Sequence, residues 1–151
     1  MSLSEVYFYI IIILCQIYSL VVITTTEDLK EYKYFKKHLK ITFCIGLLGT
    51  FMELVNWNYF CLFNCTLLTF SPFLTLLISK GIVEFYINVL RKEAFQVGRN
   101  GDLMDGIWTK NKGVSNHIGH KTHYAIYSVI IAVIPFIAIS SLFLLIEKNL
   151  C

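Results

Sequence analysis

The stretch YAIYSVIIAVIPFIAISSLFLLI, residues 124–146, contains no charged side chain. A helix that crosses a bilayer needs about 20 mainly apolar residues, because each residue rises ~1.5 Å through a hydrocarbon core ~30 Å thick. Residues 124–146 meet that length, which a helix buried in a soluble core rarely requires. The same reading extends upstream to residues 41–79, where no Lys or Arg occurs and Glu53 is the single acid. Runs this long, without alternation, fit neither a membrane β-barrel nor a soluble core. Composition agrees. Of 151 residues 56% are hydrophobic and 15% charged, where soluble domains lie near 45–50% and about 25%; the mean hydropathy is +0.65.

The expected architecture is an all-α integral membrane protein with four transmembrane helices. The spans are placed at residues 6–24, 41–59, 62–80 and 124–146, within one domain covering 1–151. The second and third share nearly 40 apolar residues and are separated by a polar turn around Asn56, Asn58 and Asn64. Span three is expected to continue to about residue 92, since Ile82, Val83, Tyr86, Val89 and Leu90 prolong an apolar face and Lys80 and Glu84 lie one turn apart. A cleaved signal peptide is not expected at the first segment. No Lys or Arg precedes Val6 and no small-x-small site follows the apolar run.

The cations set the orientation. Lys30, Lys33, Lys36, Lys37 and Lys40 lie between spans one and two; Arg91, Lys92, Arg99, Lys110, Lys112 and Lys121 lie between spans three and four. The positive-inside bias puts both connections in the cytoplasm and both termini outside, N-out/C-out. The net charge of +3 then reflects topology, not nucleic-acid binding. Residues 25–40 read as a separate amphipathic basic helix, opened by a Thr25–Asp28 capping pair and striped by Leu29, Tyr32, Phe35 and Leu39. Such a segment lies on the anionic leaflet or docks a partner, with Lys33, Lys37 and Lys40 as contacts. Residues 91–122 form a long, glycine-bearing cytoplasmic loop in which Arg99, Trp108 and Lys110 are candidate partner contacts.

Within the spans, the most informative pattern is one face of span two: Thr42, Gly46, Gly49, Thr50, Glu53 and Asn56. Small residues admit a close backbone approach and polar ones bond across helices, so this face is expected to meet protein. An acid at that depth is costly and therefore a candidate. Either Glu53 is hydrogen-bonded to Asn56, Asn64, Tyr59 or Gln16 and pins the bundle, or it lines a cation-selecting ring in an oligomer. Span four offers a second small edge, Ala125, Ser128, Ala132, Pro135 and Ala138. Pro72 and Pro135 each free a carbonyl one turn earlier.

No metal or cofactor is expected. His117, His120 and His123 sweep around a helix at their three-residue spacing and do not converge. Cys61 and Cys65 are expected as free thiols; a disulfide between positions four apart on a helix would be strained. Asn64-Cys65-Thr66 matches a glycosylation acceptor, but close to the bilayer. No nucleophile elbow, phosphate loop, carboxylate pair or HExxH occurs, so enzymatic activity is not expected.

In size, span number and loop layout the chain resembles the small four-span membrane subunits of two-component bacterial anti-phage defence systems, such as Kiwa. The resemblance covers the whole chain in architecture and no motif, so it carries no site residues. It implies a non-enzymatic, homo-oligomeric subunit of the bacterial inner membrane that couples a membrane event to a cytoplasmic protein. The alternatives are an inner-membrane immunity protein acting through the outer turn around Trp57 and Tyr59, or a small oligomeric cation channel acting through Glu53.

Overall fold

The computed structural model describes residues 3–57, 59, 63–91 and 118–150, with side chains for all of these except Glu27, residues 118–124 and Leu150. The described residues form four α-helices, α1 (Leu3–Thr24), α2 (Tyr32–Leu54), α3 (Asn64–Asn88) and α4 (Ile118–Leu150), with a short 3-10 helix, Thr26–Lys30, between α1 and α2; no strand occurs among them. Three are long and apolar enough to cross a membrane: α1, α3 and residues Ala125–Asn149 of α4.

Helix α1 stops where three threonines follow one another. The hydroxyls of Thr24 and Thr25 donate to Val21 O and that of Thr26 to Ile23 O, at 2.9, 2.9 and 3.1 Å. Ile23 O is one of the carbonyls that a helix C-terminus leaves open, while Val21 O also accepts the Thr25 main-chain N–H at 3.0 Å. The expected amphipathic helix at residues 25–40 is therefore divided. Its first part is the 3-10 turn, in which Thr25 makes no side-chain cap, and its second part is the first nine residues of α2. Those residues continue without a break into the apolar stretch. The helical period of the lysines and of the apolar residues is one and the same helix. At its other end α2 closes at Leu54, short of the expected 59, and α3 opens at Asn64 rather than Leu62.

Helices α1 and α2 both pack on α3 and run antiparallel to one another, α1 parallel to α3; α1 and α2 meet mainly through side chains such as Tyr18 and His38. The register is fixed by Tyr18 beside His38, Gln16 against Leu68 and Gly49 against Thr69. At one end Trp57 Nε1 and the Tyr59 hydroxyl both donate to Ser4 Oγ, at 2.9 and 3.1 Å, and Phe8 packs edge-on to Trp57 and Tyr59. At the other end Lys80 Nζ donates to Leu29 O at 2.9 Å, pairs with Glu84 at 3.3 Å and lies over the Phe35 ring. The expected Lys80–Glu84 pair is present, and it also ties α3 to the connector.

Helix α4 packs on α3 through Tyr127 and Ile131 against Val83 and Tyr86, and makes at most marginal contact with α1 and α2. The small edge expected to do this is divided: Pro135 is buried and Ser128 and Ala138 are half-buried, but Ala125 and Ala132 are exposed. Aromatic and branched side chains cover more apolar area per turn than alanine, which favours the Tyr127 face.

Candidate functional site: a polar seam between α1, α2 and α3

The seam begins with two glycines on α2. Gly46 lies under the Phe70 ring, and a Cβ there would stand 2.6 Å from it; at Gly49 the Thr69 side chain occupies the position a Cβ would take. The absence of side chains lets α2 and α3 approach closely, as small residues do between membrane helices. Thr69 is fully buried, and its hydroxyl lies 3.1 Å from Cys65 O, 3.0 Å from Thr66 O and 3.5 Å from Gly46 O. Phe43, Phe70 and Phe73 close the seam on one side with ring centroids 6.0–6.4 Å apart.

One turn further, Glu53 reaches across to α3. Its Oε1 accepts from the Thr66 main-chain N–H at 3.2 Å and its Oε2 from the Thr66 hydroxyl at 2.6 Å. Thr66 is the third residue of α3, so its N–H has no partner inside the helix. The residue at the N-cap position is Phe63, in the left-handed region at φ 67, with no side-chain acceptor to offer. Glu53 supplies from α2 the cap that α3 lacks, and the positive end of the α3 dipole favours a carboxylate there. Glu53 is thus held by Thr66 rather than by Asn56, Asn64, Tyr59 or Gln16.

A second knot joins α1 to α3. Pro72 has no N–H, which leaves Leu68 O without its helical partner. The Gln16 amide donates to that carbonyl at 2.9 Å, and Ser71 Oγ lies 2.8 Å from it and 3.1 Å from Gln16 Oε1. Ser19 extends the group, its hydroxyl 3.4 Å from both Ser71 Oγ and Cys15 O. Near the lysine end, the Tyr18 hydroxyl lies 3.0 Å from His38 Nδ1. Partial burial, with the Lys37 ammonium close by, holds this imidazole below its ordinary pKa, and Asp28 opposes the shift in part.

Of the expected face on α2, Thr42, Gly46 and Gly49 are buried and Glu53 is half-buried, all toward this seam. Thr42 turns its hydroxyl back to His38 O at 2.9 Å. Thr50 does the same toward Leu47 O at 2.8 Å. Asn56 is not part of the face: it is exposed, beyond the end of α2, with φ 57. Lys33, Lys37 and Lys40 are exposed on the opposite side of α2. Arg99, Trp108 and Lys110 lie outside the described residues, as do Cys61, His117 and the side chains of His120 and His123. Cys65 is buried and free. Asn64 is 3% exposed, which closes the folded protein to glycosylation there. Sequence reasoning missed the Gln16–Leu68–Ser71 knot; a glutamine at mid-span together with Ser71-Pro72 was its available signal.

Beside the seam, α4 from Pro135 onward borders open space next to α1. A cleft of about 630 Å³ opens between α1, α3 and α4, lined by Gln16, Ser19, Ile23, Phe136, Ile139 and Phe143 among others.

Comparison with protein-family models, with curated proteins and with solved structures finds no match.

Proposed function

We propose that the chain is a non-enzymatic subunit of the bacterial inner membrane that couples a membrane event to a cytoplasmic protein, as its resemblance to anti-phage membrane subunits implies. In this reading α2 also crosses, from Ile41 onward, beside the three long apolar helices, giving four spans, N-out/C-out. The connections before α2 and after α3 then face the cytoplasm. The observation that carries the reading is the division of the molecule into two parts. Helices α1 to α3 are locked by the glycine contact, the Glu53–Thr66 bonds and the Gln16–Leu68 knot. Helix α4 is held chiefly by α3, with Ile23 of α1 touching the same cluster, and borders an open cleft. In the expected layout it follows the connection carrying Arg99, Trp108 and Lys110, so a partner bound there acts on the described helix that takes no part in the seam. In a homo-oligomer the cleft is where a neighbouring copy's helix would close the structure.

The rival readings ask more of the fold. A cation channel built on a Glu53 ring requires the carboxylate to leave Thr66. An immunity protein working through Trp57 and Tyr59 uses side chains already bonded to Ser4. Native mass spectrometry of the protein released gently from its host's membranes, with its genomic neighbours expressed, tests the proposal. A closed homo-oligomer carrying a soluble protein is expected. A bare monomer or dimer overturns it in favour of the immunity reading. Cation flux that is lost on Glu53→Gln would favour the channel.

A further inference from the structure

Helix α2 has two unlike faces. Thr42, Gly46, Gly49 and Met52 are buried in the seam, and Phe35, His38 and Leu39 continue that side toward α1 and the connector. With 3.6 residues per turn, the opposite side carries Lys33, Lys36, Lys37 and Lys40, followed on the same line by Cys44, Leu47 and Phe51. All seven are exposed, and none of the four lysines makes an ion pair among the described residues. The lysines stand at i, i+3, i+4 and i+7, a single stripe, and the apolar side chains prolong it without an interruption.

The depth of this stripe is set by its neighbours. Lys80 Nζ sits 5.5 Å from the centre of the Phe35 ring. Extrapolating the antiparallel register of Gly46 on Phe70 brings Lys37 about level with Lys80, and Lys40 about one turn deeper. From Ile41 to Leu54 α2 has 14 residues, only ~21 Å of helix against a hydrocarbon core of ~30 Å. The lysine end is therefore drawn into the headgroup layer, with its stems along the chains and its ammonium groups at the phosphates.

Resting on the membrane reading above but not on partner coupling, we propose that this face is a binding site for an anionic phospholipid. Its phosphate is held by the lysine stripe and an acyl chain lies along Cys44, Leu47 and Phe51. Charge complementarity accounts for the headgroup. The unbroken apolar continuation accounts for the chain, which an acidic cytoplasmic protein would leave unmatched. The site exists because residues 32–40 stand upright as the start of a spanning helix; laid flat on the leaflet, they would have no apolar continuation at their side.

The test reconstitutes the full chain into bilayers of phosphatidylcholine alone or mixed with phosphatidylglycerol. Native mass spectrometry then reads retained lipid, and immobilisation of spin-labelled lipids gives relative affinities. The protein should retain phosphatidylglycerol in preference to phosphatidylcholine. Replacing the four lysines by Gln should lower that preference, by about fivefold per lysine if each contributes ~1 kcal/mol, while replacement by Arg should keep it. A bilayer-inserted chain without the preference, or a Gln variant that retains it, overturns the lipid site alone. A chain that cannot be made to float with vesicles and is stripped from them by alkali overturns the membrane reading and the site with it. Circular dichroism of each variant checks that the helices persist.

Discussion

The Gln16 amide donates to Leu68 O at 2.9 Å, the carbonyl that Pro72 deprives of its helical partner. A proline inside a membrane helix is tolerated when a neighbouring helix satisfies the freed group; here the freed carbonyl lies four residues before the proline on α3 and the donor comes from α1.

Replacing Gln16 with Leu leaves Leu68 O to the Ser71 hydroxyl alone. The expected loss of stability is about 0.5–2 kcal/mol, measured by thermal or detergent-driven unfolding of the purified protein. In a Pro72→Ala background the main-chain N–H returns to Leu68 O, and the same substitution should cost clearly less. Equal costs in both backgrounds would mean that the glutamine does not act through the proline.

Substitutions at Glu53 should separate cap from charge. Glu53→Gln retains one acceptor for Thr66 and should lower stability by no more than about 1 kcal/mol. Glu53→Leu leaves the Thr66 N–H without an acceptor and should cost about 1–3 kcal/mol. Hydrogen exchange should localise the loosening to the first turn of α3. Uniform exchange along α3 would instead indicate that Glu53 acts on packing.

The existence of long apolar helices was legible in composition and run length, and so was half of the seam. Thr42, Gly46 and Gly49 share a face by period alone, and that period does not depend on what lies opposite. The partners were not legible. Which α3 residue meets Glu53 depends on where α3 begins, and hydropathy cannot resolve that within the joined apolar residues 41–79. Asn56 fits the period of the face but falls beyond Leu54, where the helix that would project it has ended. The break placed at Lys40 marked a change of polarity, not of backbone: a helix can carry lysines on one side and apolar residues on the other across its whole length.

The two glycines should differ in their tolerance of alanine. At Gly46 the added methyl meets the edge of the Phe70 ring, which can turn away, so Gly46→Ala should be largely rescued by Phe70→Leu. At Gly49 it meets the Thr69 side chain down to Cβ, 2.7 Å away, and Cβ moves only with the backbone. Gly49→Ala should therefore force the helices apart at about 1–3 kcal/mol, with no single side-chain rescue. Paired unfolding measurements on the four variants check this; full rescue of Gly49→Ala by Thr69→Ala would contradict it.

Acidification should weaken the α1–α2 contact through His38. The folded protein holds its imidazole below the ordinary value, chiefly by partial burial and then by Lys37. The unfolded chain binds that proton near the ordinary pKa of about 6.5. Between the two values the unfolded state binds more protons, so stability rises with pH across that window. The contribution is complete above about 6.5 and declines as pH falls toward the lowered folded value. A neutral Nδ1 accepts from the Tyr18 hydroxyl at 3.0 Å; a protonated ring cannot accept, and the bond must reverse. His38→Gln keeps an acceptor for Tyr18 without titrating. Melting temperatures recorded from pH 8 to 5 should fall for the parent and stay flatter for His38→Gln, converging only where other groups begin to titrate. Parallel curves for the two proteins would remove His38 as the cause.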